Sequence, residues 1–441
     1  MTPMGYGGLQ FERMPPLSVP LRFFLVAPVF GAAAGILLAV AGPATLLSRW
    51  TPGVLAATHL VTLGFLTMVM VGAIFQVLPV VTGVPVVPTR PVASSTHLLL
   101  VVATVLFGLG VGFSRPALSG AAGALAGVAL GGFLVAALAA AARVWRNATG
   151  RAMGLALVSL LVVLLLGVVL LAGHAGWMPL RRDLTDVHLM WAVAGWVGLL
   201  VMGVSFQVVP MFQVTPSYPG VLQDVLPAAV FVGLLLWLGG RLAGWAPIAA
   251  AGMVALGLAF SVYAAATLWL QAHRRRKLRD VTTDLWRLAM VLLLLDLLLA
   301  ALGAVGVVDL AAPRVVVTIG LVLLPGVAVS VIMGMLYKIV PFLTWLRLQA
   351  RLTERGLVGA LKVRNMRQLL PAATARWHLR VHVLAVAALV GAVWLDGSAF
   401  AGMGARLAGV ALAADFTLLG WNLAVVVERF GAEQARIFAA R

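Results

Sequence analysis

Few side chains in this sequence can do chemistry, and most of those are histidines. His59, in "ATHLVTLGFLTMVMVGAIFQVLPVV", and His188, in "DVHLMWAVAGWVGLLVMGVSFQVVP", each open a long apolar run that ends at a proline, Pro79 or Pro210. His174 closes the apolar run before the second of these. An imidazole in such surroundings can ligate a metal or haem iron, hold a proton, or simply complete a hydrogen bond. His378 and His382, in "RWHLRVH", are four residues apart and share one helical face. That spacing suits a metal ion, but no acidic or third imidazole partner is near them in sequence and the neighbouring arginines repel cations. An interfacial, structural role is therefore the expectation. The charged groups inside apolar runs are Asp296 ("LLLLDLLLA"), Asp415 ("ALAADFTLLG") and Lys338 ("MGMLYKIVPFL"). At about 1.5 Å rise per residue, Asp296 and Lys338 come within a turn or two of the same depth, which predicts an ion pair between their helices. A proton relay through the two aspartates is the sharper alternative.

The elements that must position these groups are membrane spans. The chain has 441 residues, of which 63% are hydrophobic and 10% charged, with a mean hydropathy of +1.09; soluble domains are roughly half apolar. Runs of about 20 apolar residues suffice to cross a bilayer. Twelve can be placed, near 20–44, 54–82, 94–113, 117–142, 152–174, 187–212, 224–241, 245–271, 286–308, 314–344, 378–395 and 403–427. The first follows Pro15, Pro16 and Pro20 with no small-residue cleavage site, so it reads as a retained span and not a signal peptide. The absence of Cys rules out disulfides, thiolate metal sites and covalent haem attachment. No P-loop, dinucleotide fingerprint, nucleophile elbow or His-Glu-x-x-His motif is present.

The net charge of +18 is distributed as a topology signal. Arg143, Arg146 and Arg151 follow the fourth span, "HRRRKLR" (273–279) the eighth, and a basic segment around a loop at 346–377 the tenth. The positive-inside rule then places both termini in the cytoplasm, in the manner of a bacterial inner-membrane protein. Anionic lipid, and not nucleic acid, is the partner these residues imply. Arg347, Arg351 and Arg355 recur every four residues and form one basic face, expected to lie on the inner membrane surface. His59, His174 and His188 fall toward the outer face, and His97, His273, His378 and His382 toward the inner one.

A repeat organises the spans. "VGAIFQVLPVV" (71–81) returns as "MGVSFQVVPMF" (202–212) and "MGMLYKIVPFL" (333–343). Gly72, Gly203 and Gly334, like Pro79, Pro210 and Pro341, are spaced 131 residues apart (210 − 79 and 341 − 210). Each interval holds four spans, which predicts three parallel units of four helices, approximately 18–145, 146–276 and 277–430, related by an axis along the membrane normal. Each proline frees the carbonyl four residues earlier, and Gln76, Gln207 or Lys338 can satisfy freed backbone groups or face a cleft. The glycines let neighbouring helices approach. His59 and His188 occupy nearly the same place in the first two units, where the third has Ile319 and Leu321.

Twelve helices in three arcs of four, with a His near the outer end of an arc's second helix, resemble the haem-copper oxidase subunit I superfamily. The short nitric-oxide-response membrane proteins of the NnrS type are a related resemblance. It implies an all-α integral membrane fold in one transmembrane domain. It also implies a low-spin haem ligand at His59 and, with a small offset, the place of a copper ligand at His188. The departures are plain: the seventh span has no His-His pair, the tenth has no His-x-His, and Ala192 stands where the family's Tyr would follow His188 by four residues. No copper site and no oxygen reductase activity are expected. His59 is left with three roles: binding haem b with His188 or His174 as its partner, binding a haem iron alone with an open position for a gas such as nitric oxide, or hydrogen bonding only. Trp191 and Trp196 are candidates for a haem-pocket wall. Three functions follow: a haem-binding protein linked to respiratory or nitric-oxide-related membrane partners; a proton-coupled transporter using Asp296, Lys338 and Asp415; or a non-catalytic partner or assembly subunit.

Overall fold

The computed structural model describes residues 13–144, 147–276, 278–395 and 397–440. Arg146 and Lys277 of the basic loops lie outside them. Among the described residues there is no strand, and twelve helices are long and apolar enough to cross a membrane. They run Ser18–Ala41, Pro52–Val81, Thr89–Gly112, Pro116–Ala141, Ala148–His174, Arg182–Gln213, Gly220–Leu242, Ala246–Ala272, Val281–Ala304, Pro313–Glu354, Ala372–Trp394 and Ala401–Ala439. The chain is an integral membrane protein of all-α class, and its apolar outer surface faces lipid. Helices are the open choice there because every backbone N–H and C=O must be satisfied within the segment.

Nine spans form a closed ring around three. Going round, the first packs on the third, then come the fourth, fifth, seventh, eighth, ninth, eleventh and twelfth, which returns to the first. The second, sixth and tenth spans stand inside, with 78%, 61% and 50% of their central windows buried, against 28% for the fifth. A cavity of about 50 Å³ separates these three. Its walls come from corresponding turns of each: Val69, Leu200 and Val331; Ala73, Val204 and Met335; Val77, Val208 and Ile339. Within each triplet the numbers step by 131, so the cavity lies where an axis relating the three helices would run.

The inner helices share a second feature. Each contains an eight-residue π-helical stretch, Leu60–Thr67, Trp191–Gly198 and Val322–Val329, whose starts (60, 191, 322) again step by 131. Such widened turns are rare and tend to sit at functional sites. Twelve residues after each stretch comes the proline of the repeat. The motif glycines lie between, each pressed on the first helix of its own group. A Cβ at Gly72 would stand 2.7 Å from Cβ of Phe23, and one at Gly203 would stand 2.5 Å from Cβ of Ala152. At Gly334 it would meet Trp286 at 3.1 Å. Gln76 is buried and Gln207 half-buried among these helices.

Two expectations about the basic face and Lys338 change together. The tenth span does not stop near residue 344; its helix runs straight on to Glu354. Arg347 and Arg351 therefore extend that span, bonding to the Pro15 carbonyl and to Glu354, and Arg355 at its end reaches the Phe438 carbonyl. Leu348 and Leu352 pack on Ile437 of the equally extended twelfth helix. A separate surface helix is not formed. Because the tenth helix projects so far, Lys338 sits level with the beginning of the ninth span, where it pairs with Asp280. Asp280 also caps that helix through Thr282 N–H at 3.0 Å. The ion pair between Lys338 and Asp296 does not exist. Asp296 is buried at 6% exposure, and its Oδ1 has no hydrogen-bond partner.

Candidate functional site

Helices two and six begin on the face opposite the start of the first span and the end of the twelfth, and His59 and His188 lie within about two turns of their starts. His59 donates Nδ1–H to the Leu55 carbonyl one turn earlier at 2.8 Å. His188 donates Nδ1–H across to Val163 O on the fifth helix at 3.1 Å. A carbonyl only accepts, so both rings, when neutral, carry their proton on Nδ1 and present an unprotonated Nε2. Metal-ligating histidines are oriented in this way. The two ring centres are 6.2 Å apart with 24° between their planes.

The histidines line one cavity of about 160 Å³, walled by Leu63, Phe107, Leu130, Val163 and Leu171 among others. Phe107 stacks on His59 with centroids 4.2 Å apart. Gly167 faces His188, where a Cβ would come within 3.2 Å of the imidazole Cε1. His174, Arg182 and Trp50 complete the lining, and the exposed His174 belongs to the rim. An Arg49–Asp186 pair at 2.7 Å lies nearby, and the guanidinium groups of Arg49 and Arg182 lie 4.6 Å and 5.7 Å from the Trp50 ring centre.

The structure thus brings His59, His188 and His174, all expected toward the outer face, to one cavity. It gives the aromatic wall to other residues. Trp191 and Trp196 are both 2% exposed and point elsewhere: Trp196 donates to Thr67 Oγ1 at 3.1 Å, and Trp191 packs edge-on against Phe231. Phe107 and Trp50 take that place. Neither stood out in the sequence, because Phe107 is remote from the histidines along the chain and Trp50, although nine residues before His59, lies near a span end, where aromatics are ordinary.

A second polar cluster overturns the interfacial expectation for His378 and His382. Both are 1% exposed. Their acidic partner is Asp415 of the twelfth span, itself fully buried. His382 Nδ1 lies 2.8 Å from Asp415 Oδ2. His378 Nε2 lies 2.9 Å from Asp415 Oδ1, but its N–H is directed at the Asp415 main-chain carbonyl at 2.7 Å, leaving Oδ1 without a hydrogen bond. On the tenth span, Tyr337 OH contacts His378 Nδ1 and Ser330 Oγ is 2.7 Å from His382 Nε2. Asn422 donates to Tyr337 OH at 2.7 Å. The four-residue spacing of the histidines was legible; the carboxylate was missed because it comes from another helix.

Among the described residues, no group of three or more His, Asp or Glu side chains is arranged to hold a metal ion. The chain matches no protein-family model and is significantly similar to no curated protein.

Proposed function

We propose that the chain is a haem-copper-oxidase-like membrane protein that binds haem b between His59 and His188 and carries electrons in a respiratory or nitric-oxide-related assembly, without being a terminal oxidase. One observation carries this reading: two imidazoles from different inner helices, each fixed through Nδ1 to a backbone carbonyl, stand 6.2 Å apart in an apolar cavity. Both rings, held through Nδ1, would offer Nε2 to an iron bound in the cavity. The donor chemistry therefore suits a haem iron.

The space needs adjustment. A volume of about 160 Å³ is below the roughly 300–1,000 Å³ usual for organic ligands, so a macrocycle requires the half-buried Phe107 ring to swing away from His59. Haem would supply one-electron redox chemistry. The protein's own part is to fix both Nε2 atoms, exclude water with the Leu and Val wall, and offer Arg182 at the rim to an acidic substituent. With both His59 and His188 as ligands, a bound haem would serve electron transfer and not gas binding.

Absorption spectra of the purified protein, oxidised and dithionite-reduced, test the proposal. A six-coordinate low-spin spectrum is expected, with His59→Ala and His188→Ala each abolishing it. A spectrum needing His59 alone and responding directly to nitric oxide favours the gas-binding role. Colourless protein from haem-supplied cells refutes haem binding altogether.

A further inference from the structure

The cluster around Asp415 has a proton inventory that its distances decide. Ser330 Oγ is 2.5 Å from the Gly326 carbonyl oxygen, at the short limit for an O–H···O bond. Two oxygens at that separation require a proton between them, so the serine hydroxyl donates to Gly326. Its oxygen then has only a lone pair to offer His382 Nε2 at 2.7 Å, and Nε2 must carry hydrogen. His382 Nδ1 faces Asp415 Oδ2 at 2.8 Å, and with that carboxyl group ionised its oxygens can only accept, so Nδ1 carries hydrogen too. His382 is thus an imidazolium paired with the Asp415 carboxylate. His378 is neutral: its Nε2–H faces two oxygens of Asp415, and its Nδ1 accepts from Tyr337 OH.

The inner helices supply a second argument. Stepping back by 131, Ser330 corresponds to Leu199 and Met68, and Tyr337 to Phe206 and Phe75. The same helix is therefore built twice with apolar residues at the places where the tenth span makes its contacts to the histidines. Polarity there is not needed to pack an inner helix. Ionisable groups this deep in a membrane protein pair with one another, and proton relays are among the functions they mark.

We infer that spans ten, eleven and twelve hold a proton-binding site, with Asp415 as the fixed carboxylate, His382 as the group that gains and loses the proton, and Ser330 and His378 as the hydrogen-bonding partners that hold them. Loaded, His382 has both N–H bonds and the pair is neutral. On release, the Nε2–H bond breaks with its electron pair staying on nitrogen, and the proton passes to water as hydronium. The Ser330 hydroxyl then turns from Gly326 to donate to the vacated Nε2, so no buried nitrogen is left without a partner. Charged groups on the surrounding elements are engaged elsewhere: Arg22 of the first span with Ser94, Arg287 of the ninth with the Gln271 carbonyl and Lys338 of the tenth with Asp280. Arg314 lies in the first turn of the tenth span, and Arg376 and Arg380 flank His378 in sequence on the eleventh. Arg406 and Arg429 on the twelfth bond to the Ala39 and Leu369 carbonyls. Asp296 of the ninth and Glu433 of the twelfth are the other buried carboxyl groups among the described residues, and Glu433 is paired with Arg364 and Arg436. Nothing in this site depends on haem at His59.

Nitrogen-15 NMR of the full-length chain, labelled at histidine and held in lipid nanodiscs, reads the site directly. The His382 signals, identified by their loss in His382→Gln, should be those of an imidazolium in acidic buffer and convert reversibly to those of a neutral ring in the course of an alkaline titration. Asp415→Asn should abolish the imidazolium across that titration. Tyr337→Phe installs the residue found at the two corresponding positions, so it is compatible with the helix; it should shift only His378. A His382 that is already neutral at the acid end of the titration in the unsubstituted protein overturns the inference. So does an imidazolium that persists unchanged through the whole titration, because a purely structural ion pair would behave in that way.

Discussion

Replacing Gly409 by alanine tests how the ring of helices closes. The first and twelfth spans meet through Gly35 and Gly409, and the contact is backbone to backbone. A Cβ at Gly409 would lie 2.3 Å from the Ala39 nitrogen and 2.7 Å from the Gly35 oxygen. A Cβ at Gly35 would lie 2.3 Å from the Ala413 nitrogen and 2.7 Å from the Gly409 oxygen. Comfortable separations begin near 3.5 Å, so one methyl group must part the helices by about 1 Å, and no rotamer can relieve a clash with backbone. A gap of that size forfeits roughly a quarter to a half of the dispersion attraction along the seam. Overpacking of this kind costs about 1–3 kcal/mol, and the backbone clash argues for the upper end, about 3 kcal/mol. The better helix propensity of alanine returns up to about 1 kcal/mol, leaving a net loss of about 2 kcal/mol. In lipid this seam has no hydrophobic drive to compensate, since helices there associate by packing. Gly391→Ala is the control, because nothing lies within 4 Å of its added Cβ, and it should be neutral or slightly stabilising. The measurement is the temperature at which half of the protein leaves the monodisperse peak on size exclusion in detergent. Gly409→Ala should melt clearly below the parent and Gly391→Ala at or above it. The Gly35→Ala, Gly409→Ala double variant should lose less than the two single losses added together, since the first methyl has already parted the helices. If Gly409→Ala melts with Gly391→Ala, the close approach is not what the seam depends on. The consequence reaches the proton site, as Phe416, next to Asp415, is the ring that Gly31 of the first span accommodates.

Two further outcomes follow from named contacts. Lys338→Gln, which installs the side chain present at positions 76 and 207, should cost under about 1 kcal/mol, because the lysine and Asp280 are a quarter exposed and screened pairs contribute little; a large fall in melting temperature would show that the pair does more. Gly167→Val should place methyl groups against His188 Cε1 and fill part of the cavity, so the folded protein should be purified without its haem spectrum, and an unaltered spectrum would locate the ligand elsewhere.

The legible part of this protein was its periodic part. Apolar runs of bilayer length mark all twelve helices, with starts within a few residues of those observed, because lipid leaves a span almost no other composition. The spacing of 131 between motif prolines also pointed to the second helix of each group, and those are the helices that stand inside the ring. The ends were less legible: the tenth and twelfth helices run past the apolar stretch on charged, amphipathic sequence that packs together through Leu348, Leu352 and Ile437 and reaches Pro15 through Arg347. Depth counted from the apparent end of the tenth span therefore misplaced Lys338 by several turns.

What the sequence by itself determined is the class of the fold, the number and order of the helices, and the positions where the repeated helix differs between its copies. Each is a property of one helix read along its own axis, set by hydropathy, by glycine and by proline. Partnership was decided only in three dimensions. His59 and His188 are over a hundred residues apart, yet their ring centres are 6.2 Å apart. The histidines at 378 and 382 lacked a carboxylate until the twelfth helix laid Asp415 beside them. Lys338 turned from Asp296 to Asp280 for the same reason. A side chain's partner depends on the rotation and depth of two helices at once, and those are fixed by packing contacts such as the Gly35–Gly409 seam, which no single segment contains.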